Sequence, residues 1–223
     1  MLIENINLFS RENINRIENE TNLKVLDGIN IKSHYLPIVL KKLYILLDES
    51  LEEKEILLFC GDKKITENFI LALCKDAKFI TLAGDNEKII EDISKSILEN
   101  TGLSIFYSKN IDRILKNYSI IINLNENTEI NMAKVRKGAI IFDFSFEKVL
   151  KDSESYGIIG DFIFKTDGLN IKKNPYIENN ISSHIYEYFN RARIEDLKGL
   201  LIGKQEYSPE NFIDVKIRQN RRL

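Results

Sequence analysis

From residue 55 onward, short apolar runs alternate with amphipathic stretches, and this alternation constrains the fold more than any other feature of the sequence. In the stretch 86–101, four isoleucines share one helical face, and Gly102 follows as a C-cap. Strands separated by helices of about 10 to 15 residues are typical of a parallel sheet covered on both faces. The sequence therefore predicts a doubly wound, mostly parallel α/β sheet. The predicted strands are EILLFC, KFITLA, LSIFYS, YSIIINLN, AIIFDFSF and YGIIGDFIFK.

The first 54 residues differ in character from this α/β unit. They contain a polar helix in SRENINRIENET and an apolar helix at 33–50, with Ser33 as its cap and Pro37 in its first turn. So short a segment is too small for an independent core. We expect the N-terminal helical segment 1–54 to pack on the α/β unit.

The other end of the unit is predicted from helical spacing and charge. The α/β unit runs from 55 to 205 and includes a last helix at about 181–200. The remaining residues, 206–223, are polar and basic, which is typical of a frayed tail.

Composition narrows the function classes. Lys and Arg number 32 against 34 Asp and Glu, and the net charge of −2 gives no reason to expect nucleic-acid binding. Cys60 and Cys74 lie in apolar segments at a spacing that suits neither a disulfide framework nor a zinc site. No apolar run approaches the roughly 20 residues that cross a bilayer, and no signal peptide pattern is visible. We expect a cytoplasmic protein with no membrane partner and no metal site.

The turn after the first predicted strand is the candidate phosphate-binding site. It reads GDKKIT, residues 61–66, at the carboxyl end of the strand, where open α/β sheets bind ligands. Gly61 supplies the first glycine of the dinucleotide-binding fingerprint, whereas Lys63 and Thr66 stand at the second and third glycine positions. Asp62 would repel a pyrophosphate, and Lys63 would attract it. The same residues also fit an ordinary strand–helix turn with Thr66 as N-cap.

An acidic residue after the second predicted strand extends this pattern. Asp85 follows Gly61 by 24 residues, close to the roughly 20 at which a carboxylate binds the ribose diol of NAD. Lys88 leaves NADP open as the cofactor. Alternatively, Asp85 or Asn86 only caps the helix that follows. The predicted cofactor-binding residues are Gly61, Asp62, Lys63, Thr66, Asp85 and Asn123.

The order of these segments resembles the NAD(P)-binding domain of the shikimate dehydrogenase and glutamyl-tRNA reductase group. The resemblance runs from Asp27 to Phe189 and rests on LDGINIKSHYLPIVLKKL, ILLFCGDKKITENFILAL, KNYSIIINLNEN and KGAIIFDFSF. It implies a Rossmann-like fold, NAD or NADP as cofactor, and a dehydrogenase or reductase. Asp143 sits where the fifth strand of such domains often ends in an acidic residue. Those enzymes carry about 100 or more residues of substrate domain before the nucleotide domain, so the resemblance implies no catalytic residues here.

Several polar residues fall outside this turn. Asp143 and Asp161 end or interrupt apolar strands, where catalytic carboxylates sit in some enzymes, although chance placement is commoner. His34 and His184 have no partner at ligand spacing, and we interpret them as surface or capping histidines. The asparagine-rich loop 123–131 either faces the cleft and donates hydrogen bonds to a ligand or is simply solvated.

Three functions stay open at this point. The first is a small NAD(P)-binding dehydrogenase or reductase of unknown substrate. The second is a non-catalytic regulatory or protein-interaction module, favoured by the missing glycines and Asp62. The third is an S-adenosylmethionine-dependent methyltransferase, which a strongly antiparallel last strand would favour. A homodimer through the helix 33–50 and the last helix is also predicted, and Leu43→Glu is expected to dissociate it.

Overall fold

Six of the nine strands of the sheet fall within the predicted apolar runs. The computed structural model describes residues 1–150, 156–169 and 180–222. The strands are β1 (Glu55–Phe59), β2 (Phe79–Ala83), β3 (Phe106–Tyr107), β4 (Ile120–Asn123), β5 (Ile140–Asp143), β6 (Ile159–Lys165), β7 (Asn180–Ser182), β8 (Leu197–Ile202) and β9 (Gln205–Tyr207).

Strands β1 to β6 run parallel to one another in the order β3-β2-β1-β4-β5-β6. This is the doubly wound order of the Rossmann fold, with its topological switch point between β1 and β4. All four residues of the central strand β4 are buried, because both faces of the sheet are covered. The predicted doubly wound, mostly parallel fold is confirmed.

The helices begin and end at recognisable capping residues. Ser10 and Asn86 accept hydrogen bonds from backbone N–H groups in the first turns of α1 and α4, and Gly102 ends α4 in a left-handed conformation. The predicted helix at 86–101 is confirmed. The helices are α1 (Arg11–Thr21), α2 (Ile29–Leu46), α3 (Lys63–Leu73), α4 (Glu87–Thr101), α5 (Ile111–Ile114), α6 (Ser183–Tyr188), α7 (Pro209–Phe212) and α8 (Gln219–Arg222), with a π-helical turn at Ile213–Arg218 between the last two.

Alternate residues of the strands face two separate cores. Ile56 and Leu58 of β1 pack with the long helices α2, α3 and α4 on one face of the sheet. Leu57 and Phe59 point to the opposite face, which is covered by short helical turns and loops. None of the described helices is long and apolar enough to span a bilayer.

The apolar helix α2 begins four residues before the predicted cap. Gly28, with φ of 79°, precedes its first residue, so Ser33 lies inside the helix and Pro37 lies beyond its first turn. A Cβ atom on Gly28 would lie 2.6 Å from the backbone nitrogen of His184, which explains the close packing of α2 on α6. Leu43 is fully buried in the protein's own core. The prediction that Leu43 lies on an exposed dimer surface is therefore wrong.

The region predicted as one helix at 181–200 is instead a strand, a short helix and a second strand. Helix α6 ends at Tyr188, and β8 begins at Leu197 and pairs antiparallel with β6. Gly199 explains part of this difference, because a Cβ atom there would lie 2.6 Å from the carbonyl oxygen of Tyr207 in β9. The close strand pairing of β8 and β9 therefore overrides a spacing that resembles a helix.

The segment predicted as a frayed tail is helical and buried on one side. Ser208 accepts a hydrogen bond from the N–H of Asn211, and Pro209 occupies the first helical turn. Phe212, Ile213 and Ile217 belong to the main core. The many basic residues make the average composition of this segment polar, so the composition does not indicate its apolar face. The division of the chain at residues 54 and 205 stays a prediction.

Candidate functional site

The turn after β1 packs directly against the end of β4. A Cβ atom on Gly61 would lie 2.1 Å from the carbonyl oxygen of Leu124, so only glycine fits. Nδ2 of Asn125 donates a hydrogen bond of 3.0 Å to the carbonyl oxygen of Cys60 and strengthens the same contact. Gly61 therefore joins two strand ends, in addition to any contact with a phosphate.

Helix α3 presents its N-terminus at this turn. Oδ1 of Asp62 accepts a hydrogen bond of 3.1 Å from the N–H of Ile65 and caps the helix. The prediction that Thr66 is the cap is wrong, because Thr66 is buried inside the helix. No described residue accepts a hydrogen bond from the backbone N–H groups of Lys63 and Lys64. Two donors at the positive end of the helix dipole thus remain open to an anion.

Two charged side chains flank this helix end. The ammonium of Lys63 lies 3.2 Å from Asp92 in an exposed ion pair, which holds it only weakly. Asp85 follows β2 and is exposed. The cap of α4 is its neighbour Asn86, whose Oδ1 accepts from the N–H of Ile89 at 3.2 Å. The carboxylate of Asp85 is therefore not used as the helix cap.

Asn123 is fully buried at the end of β4, and its amide is already engaged. Its Nδ2 donates to Oδ1 of Asp143 and to the carbonyl oxygen of Asn125, both at 3.0 Å. Its Oδ1 accepts from the N–H of Asn125 at 3.1 Å. Asn123 thus connects the ends of β4 and β5, and its polar atoms face other protein groups.

The predicted cofactor residues lie along one edge of the sheet. Phe59 pairs with Ala83 of β2 on one side and with Asn123 of β4 on the other. The turn at Gly61, the residues after β2 and the end of β4 are therefore neighbours at the carboxyl edge. Whether they bind a cofactor stays a prediction.

A cavity of about 650 Å³ opens at the carboxyl end of β5. We call it the β5–β6 cavity. It lies between the strands and the N-terminal segment, and its volume is in the range of small-molecule sites. Its wall includes a register shift in the pairing of β6 with β8, at Gly160. The charged residues of its wall include Arg11, Asp27, Lys32, Asp143, Lys148 and Asp161. The apolar ones include Ile6, Phe9, Phe144, Phe146, Ile158 and Leu201.

The carboxylate of Asp143 is held at the back of this cavity by four hydrogen-bond donors. Nδ2 of Asn123 and the N–H and Oγ–H of Ser145 all donate to its Oδ1, at 3.0, 3.2 and 2.5 Å. The N–H of Leu150 donates to its Oδ2 at 2.7 Å. This acidic residue at the end of the fifth strand therefore organises the loop that follows β5.

Two lysines bring positive charge into the cavity. Lys32 is 6% exposed, and its ammonium lies 3.9 Å from Oδ1 of Asp161. Lys148 has a left-handed backbone with φ of 52°, and its ammonium donates a 2.6 Å hydrogen bond to the carbonyl oxygen of Ser145. Although the Lys148 residue as a whole is exposed, its ammonium end is partly buried. Desolvation of this ammonium, followed by the positive charge of Lys32, lowers the pKa of Lys148 to about 7.

The structure places His184 differently from the sequence interpretation and buries Cys60 in an apolar segment as expected. His184 is buried in the cavity wall, where its ring bridges Oγ of Ser182 at 2.9 Å and the carbonyl oxygen of Glu4 at 3.0 Å. The interpretation of His184 as a surface or capping histidine is therefore wrong. Cys60 is buried at the end of β1, and desolvation raises the pKa of its thiol to about 12. It stays protonated at neutral pH and is a poor nucleophile.

The asparagine-rich loop after β4 lines a second, smaller cavity. This cavity has a volume of about 540 Å³ and is bounded by residues 126–130 together with Met132, Val149 and Leu150. The loop therefore faces a space at the same edge of the sheet. Glu126 in this loop also accepts hydrogen bonds from the backbone N–H groups of Phe146 and Glu147, which ties the loop to the segment after β5.

The strand order, together with a glycine turn leading into α3, defines a Rossmann-type α/β protein. No protein-family model matches the chain, and no curated protein matches it significantly.

Solved structures that are similar to part of the chain include a reductase, a dehydrogenase and a synthase. Δ1-Pyrroline-2-carboxylate reductase of Thermococcus litoralis, solved with NADH and L-proline, matches 53% of this chain and 36% of its own at 13% identity and a TM-score of 0.42. Shikimate dehydrogenase of Aquifex aeolicus matches 54% and 42% at 18% identity and a TM-score of 0.36. A dipicolinate synthase chain of Bacillus halodurans matches 61% and 48% at 14% identity and a TM-score of 0.37.

The match thus spans less than half the length of each of these three proteins. At these identities and TM-scores the likeness decides neither activity nor substrate.

Proposed function

We propose that this chain binds NAD or NADP along the carboxyl edge of its sheet and takes a small substrate into the β5–β6 cavity. The class of reaction is that of a dehydrogenase or reductase. The observation that carries the proposal is the position of the cavity at the end of β5, two strands from β1 and about 10 Å away at ordinary strand spacing. A dinucleotide bound at the carboxyl edge of the sheet would therefore lie next to the cavity.

The residues at the edge fit a dinucleotide in charge and hydrogen bonding. The N–H groups of Lys63 and Lys64 and the ammonium of Lys63 would bind the pyrophosphate. The exposed carboxylate of Asp85 would accept hydrogen bonds from the ribose diol. Gly61 would keep the turn low beside the phosphates. The bound cofactor would supply or accept a hydride, and the chain would position the substrate beside it.

Two observations favour a second candidate, a Rossmann-type module without a cofactor. Asp62 places a carboxylate at the helix end where a phosphate would bind, and Gly61 has its own structural role against Leu124. The methyltransferase hypothesis gains less from the structure. This hypothesis expects an antiparallel last strand, and β8 and β9 are antiparallel. However, both lie beyond β6 at the edge of the sheet, and the six strands β1 to β6 form a parallel set without them.

A thermal-shift experiment tests the proposal. We expect NAD(H) or NADP(H) at millimolar concentration to raise the melting temperature, since a ligand at a hundredfold excess over Kd stabilises the folded state by about 2.7 kcal/mol. Asp85→Ala should abolish the shift. Glu99→Ala, an exposed carboxylate at the far end of α4, is the matched control and should leave it unchanged. S-Adenosylmethionine and ATP are included as competing ligands, and a shift with S-adenosylmethionine alone would favour a methyltransferase.

A second variant isolates the charge of Asp62. Asparagine caps helices about as well as aspartate, so Asp62→Asn should keep the stability of α3 and remove the negative charge. We expect this variant to bind the dinucleotide several-fold more tightly than the unchanged protein. If none of the nicotinamide cofactors shifts either protein, the proposal fails and the cofactor-free module is the better description.

A further inference from the structure

Each carboxylate that lines the β5–β6 cavity already accepts a hydrogen bond from a protein group. Asp27 pairs with Arg11 at 3.3 Å, and Asp161 accepts from the N–H of Phe162 at 2.8 Å. The exposed Glu147 accepts from the N–H of Arg11 at 3.4 Å. Asp143 is engaged by four donors, as described above. An additional cationic ligand would therefore compete with bonds that the protein already makes.

The ammonium of Lys32, in contrast, donates no hydrogen bond to any described residue. The side chain is buried, yet no described residue accepts a hydrogen bond from it, since Asp161 at 3.9 Å is beyond hydrogen-bond distance. The ring of Phe144, whose centroid lies 5.8 Å away, offers only a weak cation–π contact. A buried ammonium with three open donors is costly unless a ligand or water satisfies it, and it lines a cavity large enough for one.

Lys148 adds a second ammonium to the same cavity. One of its donors is used by the carbonyl oxygen of Ser145, and the others have no partner among the described residues. Its stem packs close to Gly160, with side-chain carbons 3.5 Å from the position of a Cβ atom there. The left-handed backbone at Lys148 is the kind of local strain that is often found at binding sites.

Apolar side chains form another part of the wall. Ile6 and Phe9 come from the N-terminal segment, Phe144 and Ile158 from the region of β5 and β6, and Leu201 from β8. A ligand with two opposite ends, one anionic and one apolar, would satisfy both kinds of wall.

We propose that the β5–β6 cavity binds a small organic acid, whose carboxylate accepts hydrogen bonds from Lys32 and Lys148 and whose apolar body packs against Ile6, Phe9 and Leu201. This inference rests on the proposed function only in naming the acid as the substrate. The site itself needs no dinucleotide, so it can be tested in the protein without a cofactor.

Binding is measured by titration calorimetry with 3-phenylpropionate and hexanoate as probes. We expect both acids to bind and their neutral amides, 3-phenylpropanamide and hexanamide, to bind at least tenfold more weakly. Inorganic phosphate tests whether any anion suffices. Phosphate that binds as well as the acids would overturn the apolar part of the proposal.

Substitutions separate the two lysines from charge in general. Lys32→Met keeps the length of the stem and should weaken acid binding by roughly 10- to 100-fold, the usual effect of losing hydrogen bonds to a charged group. Lys204→Met, which removes an exposed ammonium at the rim of the same cavity, is the matched control and should change affinity less than twofold. Equal affinity in Lys32→Met and the unchanged protein would overturn the proposal.

The pH dependence gives a test that needs no folded Lys32 variant. The groups that act on Lys148 are Lys32, which disfavours its charged form, and Asp161, Asp143 and Glu126, which favour it. Since its pKa is lowered to about 7, acid binding should weaken as pH rises from 6 to 8 and should take up protons near pH 7. Lys148→Met should remove the proton uptake. Acid binding that is independent of pH in both proteins would contradict the role of Lys148.

The two proposals fail separately. If the acids bind and no dinucleotide does, the inference stands and the proposed function fails. If a dinucleotide binds and the acids do not, only the inference fails.

Discussion

Gly61→Ala is expected to lower the free energy of unfolding by about 3 kcal/mol, at the upper end of ordinary overpacking. The new Cβ atom would lie 2.1 Å from the carbonyl oxygen of Leu124 and 2.9 Å from its carbonyl carbon. Both are backbone atoms next to buried strand ends, so neither side can move without disturbing the pairing of β1 with β4. Urea unfolding followed by circular dichroism measures the change.

Gly160→Ala is the matched control. A Cβ atom at Gly160 would meet the side chain of Lys148 at 3.5 Å, which is ordinary van der Waals contact with a flexible group. We expect a loss of less than about 1 kcal/mol. If the two variants lose the same stability, the contact between the turn and β4 is not what requires glycine at position 61.

Phe212→Ala is expected to cost about 3 to 5 kcal/mol, the usual loss when a buried phenylalanine is truncated. Phe212 is fully buried in the main core, although it lies in a segment that is basic and polar by composition. The cost arises because helix α7 packs on α2, and an unfilled cavity would remain there. The same urea unfolding experiment, with its midpoint and slope, measures the effect.

Val215→Ala tests whether the loss of stability comes from the buried side chain or only from a change in the helix. Val215 belongs to the same helical segment but is 43% exposed. Its truncation should cost less than about 1 kcal/mol, because alanine is also a good helix former. A small effect of Phe212→Ala, equal to that of Val215→Ala, would mean that this segment is not part of the cooperative core.

The elements with strong periodicity could be predicted from the sequence, and the described elements after residue 180 could not. Helix α4 has isoleucines on one face and clear caps, and β4 begins with three consecutive isoleucines, so both predictions are confirmed. In the region after α6, the apolar spacing resembles a helix, while the structure is decided by the pairing of β8 with β6 and β9. Such pairing depends on distant residues and leaves no local signal.

The candidate site divides in the same way. The turn at Gly61 follows directly from the βα pattern, but the β5–β6 cavity joins residues that are far apart in the chain. One local signal does point to it. Lys32 precedes Leu36 by four residues and Val39 by seven, so it lies on the buried face of an apolar helix. Lysine is rarely buried without a partner, and its position on this face therefore indicates a functional or structural role.

The packing of α2 against the C-terminal helical segment has a consequence for how the chain reaches its native state. Arg218 donates a hydrogen bond to the carbonyl oxygen of Leu46, a contact between residues 172 positions apart, and Lys42 pairs with Glu210. During synthesis, the part of α2 that packs on α7 leaves the ribosome long before the C-terminal residues that cover it. Contacts of such high sequence separation slow folding and leave apolar surface open to aggregation in the meantime. The nascent chain is therefore most vulnerable between the appearance of α2 and that of α7, an interval in which chaperone binding to α2 would have its greatest effect.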